Sequence, residues 1–338
     1  MFIHHSLPAQ LLAQDDTWIN FDLGALGDQF WNNTVDGLTQ GSIYALIALG
    51  YTLVYGVLKL INFAHSEVFI YGAYATWFTF YALGFRPGPT PELGGLELVG
   101  FLILALLASM VVSGGTAVVL ERVAYRPLRN RGAPRLAFLI TAIGASFVLQ
   151  QIIFVWRGGN AEQAIRLLKQ EEVFQIFGAS VTNISIIIVL ASVVLFAITD
   201  AFVNRTRFGR GIRAVAQDPD TATLMGVNKE RIIVLTFLVG GLLAGAAALF
   251  FMMDIPQGAS YQGGFLLGLK AFTAAVLGGI GNLRGALLGG LLLGLVENYG
   301  QSLLGGEWRD VVAFVLLVVI LMFRPTGILG ESLGKARV

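Results

Sequence analysis

The sequence predicts an all-α polytopic membrane protein, a helical bundle of about nine spans, and three observations carry that prediction. Nine mostly apolar runs are present, at about 37–58, 62–83, 98–120, 136–156, 184–203, 232–253, 263–281, 285–303 and 308–323. A helix rising 1.5 Å per residue needs roughly 20 residues to cross a hydrocarbon core of about 30 Å. Of the 338 residues 56% are hydrophobic and only 13% charged, with a mean hydropathy of +0.74, well outside the composition of a soluble domain. Finally, Lys and Arg crowd into a few of the short gaps between runs, the pattern of gaps that lie in the cytoplasm.

Residues 1–34 form an extracytoplasmic or interfacial N-terminal segment. They carry Asp15, Asp16, Asp22 and Asp28 but no Lys or Arg, and Trp18, Phe21, Phe30 and Trp31 suit an outer aromatic belt. A basic start and a continuous apolar core are both missing, so the segment does not read as a signal peptide. A single transmembrane domain follows at 35–330, and 331–338 is a cytoplasmic tail. The basic gaps hold Arg122, Arg126, Arg129, Arg131 and Arg135, then Arg205, Arg207, Arg210, Arg213, Lys229 and Arg231, then Arg324, Lys335 and Arg337. With Lys59 and Arg284 they place sixteen of the 22 basic residues inside. Arg86, Arg157, Arg166, Lys169 and Arg309 fall outside, and Lys270 falls within a run. Nine crossings with a cytoplasmic C-terminus put the N-terminus outside. If the short Gly-rich stretch 263–281 is re-entrant, eight spans remain and the N-terminus moves inside.

Composition excludes several chemistries. There is no cysteine, hence no disulfide, thiolate site or Cys nucleophile. No Gly-x-x-x-x-Gly-Lys-Ser/Thr sequence is present to bind ATP as a P-loop. Three histidines, two of them adjacent as His4 and His5, supply no metal-ligand set. A net charge of +1 with its cations already assigned to topology gives no footprint for nucleic acid. The reading is transport rather than chemistry, with no catalytic residue, metal or cofactor.

Glycine makes up 42 residues and concentrates within the runs. Gly241 and Gly245, then Gly281, Gly285 and Gly289, recur every four residues, which places each set on one helix face where backbones approach closely. Tight helix packing is the plain account and pore lining the sharper one.

The gap at 204–231 differs from the others. Asp218 is an N-cap type, Pro219 suits the first helical position, Asp220 complements the helix N-terminus, and Gly226 supplies a stop. Asn228 with Glu230 then restarts a helix. A short, separately capped helix at about 219–225 follows, either resting on lipid headgroups or docking a cytosolic partner through Thr221, Leu224 and Met225.

At this point the residues resemble a known family, the LivH-type permease subunits of branched-chain amino-acid ABC importers. The resemblance runs from Asp36 to Gly330. Its residues are Asp36-Gly-Leu-Thr-Gln-Gly-Ser-Ile-Tyr-Ala-Leu-Ile-Ala-Leu-Gly50, Leu60-Ile-Asn-Phe-Ala-His65 with Glu67, and Ala214 through Arg231. Gly268-Leu-Lys-Ala-Phe272, Val276-Leu-Gly-Gly-Ile-Gly281 and Gly285-Ala-Leu-Leu-Gly-Gly290 with Glu297 complete it. The resemblance implies the ABC importer permease fold, a second homologous permease subunit, two cytosolic ABC ATPases and an extracytoplasmic substrate-binding protein. It also implies an amino-acid substrate, a bacterial inner-membrane location and a coupling helix at 218–226. Two positions depart from the family pattern: Ser66 stands where glycine is usual, and Arg284 where a small residue or proline is usual. Related importers of urea or short amides use similar permeases and remain an alternative substrate class. A secondary amino-acid transporter is disfavoured by the absence of repeated halves, and a channel by the absence of a filter motif.

Five polar residues stand out against the apolar runs. Asn62, His65 and Glu67 open the second run near its cytoplasmic end; they are either intramembrane polar residues on the translocation path or, for His65 and Glu67, interfacial with a helix-capping role. Lys270 and Glu297 lie deeper and have opposite sign; they either pair across the seventh and eighth runs or line the solute path.

Overall fold

A computed structural model describes residues 23–330. The acidic and aromatic residues expected at an outer interface before residue 23, and the basic tail at 331–338, lie outside the described residues.

Each of the nine apolar runs folds as a helix. A short α1 (Leu23–Asp28) leads into α2 (Phe30–Leu58), α3 (His65–Ala82) and α4 (Gly95–Leu120). A π-helical turn at 121–125 joins α4 to α5 (Arg126–Asn130), and α6 (Arg135–Arg157) follows. After α7 (Asn183–Arg205) come α8 (Arg207–Gln217) and α9 (Pro219–Leu224), then α10 (Lys229–Asp254), α11 (Gly263–Gly278), α12 (Leu283–Leu304) and α13 (Arg309–Phe323). The helices beginning at Phe30, Gly95, Arg135, Asn183 and Lys229 are long and apolar enough to cross a membrane by length and composition, while Gly263–Gly278 is apolar but shorter. The protein is therefore a polytopic helical membrane protein.

Small polar residues start several helices, because their side chains accept from amides that have no partner in a first turn. Thr182 caps α7, Thr206 caps α8, Asn228 caps α10 and Asn282 caps α12.

Helices α2 and α10 form the centre, and small residues set how close their neighbours come. Along the antiparallel α2–α12 seam, Gly37 and Gly41 face Leu295 and Leu291, and Gly290 faces Ala45. A Cβ on Gly245 would lie 2.7 Å from Met110 Cα, and one on Gly241 would lie 2.8 Å from Gly114 Cα, so α10 and α4 touch backbone to backbone. Ser109 Oγ bridges the Gly72 and Gly245 carbonyls at 3.0 and 2.6 Å, tying α3, α4 and α10 together. Gly285 and Gly289 pack α12 against Gly278 and Ala274 of α11. Gly281 does not join this face. It sits in the turn between α11 and α12 with φ +98° and nothing within 4 Å of where a Cβ would be. Its role is the turn, where only glycine adopts that backbone without strain.

The outward faces of α4, α6 and α7 are apolar, with Val111, Phe147 and Leu190 well exposed. A hairpin of β1 (Glu172–Ile176) and β2 (Ala179–Thr182) fills part of the gap before α7. Phe177 at its tip stacks on Trp31, ring centres 4.8 Å apart.

Candidate functional site

Three groups of residues combine position and chemistry. They are a presented helix at the Arg-rich end, a buried polar segment at mid-depth, and a charge chain beside a cavity at the opposite end.

The presented helix is α9, and it matches the sequence expectation closely. Asp218 accepts from the Asp220 and Thr221 amides at 3.0 and 3.1 Å and from the Thr221 hydroxyl at 2.5 Å. These bonds, led by the Thr221 hydroxyl, hold the exposed Asp218 carboxyl below the usual range. Pro219 is the first helical residue, and Gly226 ends the turn at φ +85°. Ala222 is buried against the rest of the protein, whereas Leu224 is 87% and Met225 80% exposed. Not foreseen from the sequence is α8, an amphipathic helix whose Gly209, Ile212 and Val215 are buried and which carries Phe208 outward. Also unforeseen is the brace behind it: Arg129 donates to Glu121 at 2.7 Å and to Glu230 at 2.5 Å. That clamp binds the end of the α4–α5 rod to the start of α10. Its residues could have been found only as unpaired charges beside the apolar runs.

The segment at 59–67 does not follow the capping expectation. His65 and Glu67 are 1% and 0% exposed, and α3 has no side-chain cap, so neither residue caps the helix and both are enclosed by protein. The cause is the path of the chain. After Lys59, in the left-handed region at φ 54°, residues 60–64 turn back into the bundle, and His65 lies against Gly50, which in turn faces Gly240 of α10. Irregular backbone at membrane depth is tolerated when protein buries it and supplies partners. Tyr125 donates to Asn62 Oδ1 at 2.7 Å, Ser146 donates to Glu67 Oε1 at 3.2 Å, and the Tyr51 ring meets the His65 ring edge-on. Ser66, the departure from the family pattern, has its Cβ in the space left by Gly268 of α11. Arg284 lies 3.9 Å from Asp200 at an exposed site, an ion pair of little weight.

Lys270 and Glu297 do meet, at 3.2 Å, and they belong to a longer chain of alternating charge. Lys270 also reaches Asp310 at 2.5 Å, Arg309 reaches Glu297 at 3.2 Å, and the Tyr44 hydroxyl donates to Glu297 at 2.8 Å. The chain links α2, α11, α12 and α13. Sequence reasoning found its two deeper members and missed Asp310 and the role of Arg309; both stand at the start of the last run, where Arg309 read only as an outer-side cation.

Next to the chain, at the end opposite the Arg clusters, is a cavity of about 210 Å³. Its charged lining is Asp36, Asp254 and Arg309, and Thr39, Gln40, Asn298 and Gln301 complete it. Every lining residue is polar.

A bundle with intramembrane charges and a polar cavity at one end, and a capped helix presenting apolar residues at the other, has the build of a membrane permease. Residues 33–321 match the family model described as branched-chain amino acid transport system / permease component, and the chain belongs to that family. It is 44% identical over 303 residues to the high-affinity branched-chain amino acid transport system permease protein BraD of Pseudomonas aeruginosa, covering 88% of this chain and 94% of that one. It is 39% identical over 307 residues to the corresponding permease protein LivH of Escherichia coli strain K12, covering 89% and 96%. The autoinducer 2 import system permease protein LsrC of Escherichia coli O9:H4 is a more distant relative, 28% identical over 196 residues, which is 55% of this chain and 54% of that one. No solved structure matches.

Proposed function

We propose that the chain is the membrane-spanning permease subunit of an ATP-driven ABC importer for branched-chain or other neutral amino acids in a bacterial inner membrane. It is a transport subunit and not an enzyme; ATP hydrolysis belongs to separate subunits. Its partners are a second homologous permease, two cytosolic ATPases and an extracytoplasmic binding protein. The kinship to BraD and LivH over most of the chain supports this reading. Nine crossings are supported by the antiparallel packing of α2 on α12, α4 on α10 and α11 on α12, and an outside N-terminus by the basic residues gathered at the opposite end.

One observation carries the coupling assignment: Leu224 and Met225 stand 87% and 80% exposed at the tip of a helix capped at both ends. Rigid apolar side chains held out on the Arg-rich face are suited to burial in a partner. Asp218, Pro219 and Thr221 build that helix and Gly226 ends it, so α9 is the coupling helix that seats on the ATPases. Burying one such side chain stabilises by about 1.5–3 kcal/mol, and an unpaired carboxylate in its place costs more. Leu224→Asp or Met225→Asp should therefore lower ATPase co-purification by at least about tenfold, with the permease still inserted and paired. A helix resting on lipid predicts unchanged recruitment. Full recruitment with full uptake sinks the coupling assignment.

A further inference from the structure

The cavity enclosed by α2, α10, α12 and α13 is assigned no role by kinship, and its lining is selective in an unusual way. Neither Asp36 nor Asp254 makes an ion pair or a side-chain hydrogen bond with another described residue. Arg309 faces the same space while its Nε is held by Glu297 at 3.2 Å. The two acids and the one base thus line one open space without direct contact, with Arg166 behind Asp254, donating to its backbone carbonyl at 3.2 Å. A single water needs about 10–15 Å³ of such space, and about 210 Å³ is open here, which is room for a small solute.

We propose that this cavity is a station for the α-ammonium and α-carboxylate of a free amino acid, which reads the charged head and leaves the side chain unread. The inference rests on the amino-acid importer reading above and names the site within it. Each feature of the lining favours a zwitterion. A simple cation meets Arg309, a simple anion meets Asp36 and Asp254, and a neutral amide compensates none of the three. An ammonium toward the carboxylates and a carboxylate toward Arg309 satisfies all of them with charge-assisted hydrogen bonds. Binding pockets that select a side chain are mostly apolar, with a few placed polar groups. This lining has no apolar residue with which to grip a branched side chain. Choice among neutral amino acids is therefore made elsewhere, and occupancy here is brief, as passage requires.

The chain has no cysteine, so Gln301→Cys places a single thiol of this subunit in the cavity. The test follows its modification by a small polar maleimide in membrane vesicles carrying the full-length chain with its partner permease and ATPases, without binding protein. Leucine should slow the reaction; at about four times the site's Kd the free fraction, and so the rate, falls about fivefold. Alanine should protect like leucine. Leucinamide, which lacks the carboxylate, and 4-methylpentanoate, which lacks the ammonium, should not. Asp254→Asn in the same background should raise the leucine needed by at least about tenfold, the effect of losing one charged hydrogen-bond partner. Protection by 4-methylpentanoate equal to that by leucine, protection by none of the four, or protection indifferent to Asp254→Asn overturns the proposal. Protection by leucine but not alanine overturns the claim that the side chain is unread. Leucine uptake by the wild-type importer with its binding protein, run in parallel, separates the two readings: uptake without protection fails the cavity alone, and no neutral amino-acid uptake fails both.

Discussion

Replacing Glu297 by leucine should be more damaging than replacing Lys270 by methionine, although the two residues form one ion pair. Glu297 is fully buried and holds three partners: Lys270 and Arg309, each at 3.2 Å, and the Tyr44 hydroxyl at 2.8 Å. Its removal leaves two cations and a hydroxyl short of an acceptor, and breaking a buried pair in this way costs about 3–5 kcal/mol. Lys270→Met leaves Glu297 with Arg309 and Tyr44 and leaves Asp310, 42% exposed, to water, so the loss is nearer one unmade charged hydrogen bond, about 1.5–3 kcal/mol. In the double variant Arg309 and Asp310 remain, with side chains 26% and 42% exposed, and water can hydrate both. The double variant should then lose less than the sum of the singles, by an interaction energy within the roughly 0.5–3 kcal/mol seen for contacting residues. Reversible SDS unfolding in mixed micelles, followed by tryptophan fluorescence, measures all four corners of the cycle. Additivity within about 0.5 kcal/mol, or Lys270→Met costing more than Glu297→Leu, refutes the chain as an energetic unit.

Two further outcomes are expected. With nine crossings, Gln29→Cys should react with an impermeant thiol reagent in intact cells and Arg324→Cys only after permeabilisation; reaction of neither from outside favours eight crossings with the N-terminus inside. Asp218→Ala should weaken ATPase association while Asp218→Asn largely preserves it, since asparagine also caps. The carboxyl is held below its ordinary value of 3.8, so the cap's contribution is present above that value and is lost only as pH falls through the lower, folded one. ATPase association measured from about pH 5 to 8 should therefore show no change traceable to Asp218.

What the sequence made legible was local. Apolar runs fold as helices because burying or lipid-solvating twenty apolar side chains needs every backbone group bonded within the segment. Asp218, Pro219 and Gly226 predict α9 almost to the residue, because caps act over three or four positions. The Lys270–Glu297 pair was readable as two isolated opposite charges in apolar surroundings. What was not legible depends on contacts remote in sequence. The chain at 60–64 folds inward because Gly50 and Gly268 leave room for His65 and Ser66, and no periodicity encodes a partner's missing side chain. Gly281 fits the four-residue spacing of Gly285 and Gly289, yet the helix starts after it, at Leu283. The brace at Arg129 joins residues 101 positions apart, and the cavity draws one charged residue from each of three helices.

The arrangement of α10 gives the two ends of the molecule a physical connection. Asn228 caps its first turn directly after α9, and Asp254, its last residue, lines the cavity. Between them are 26 residues of unbroken helix, about 39 Å at 1.5 Å per residue. Gly241 and Gly245 bring this helix to backbone contact with α4, and α4 runs on through the π turn into the Arg129 clamp that holds Glu230 at the start of α10. The pair is thus fixed to itself at the Arg-rich end and along its middle, and at the other end Arg166 donates to the Asp254 backbone carbonyl at 3.2 Å. A load applied at α9 is not absorbed by a hinge within α10, because neither proline nor a break in hydrogen bonding interrupts it. Gly240 seats α10 on Gly50 of α2, and the glycine contacts of the α2–α12 seam keep Asp36, Gln40 and Asn298 in register. The walls bearing Asp254 and Asp36 therefore stand on the two central helices, and α10 is the element common to the cavity and to the chain that follows α9.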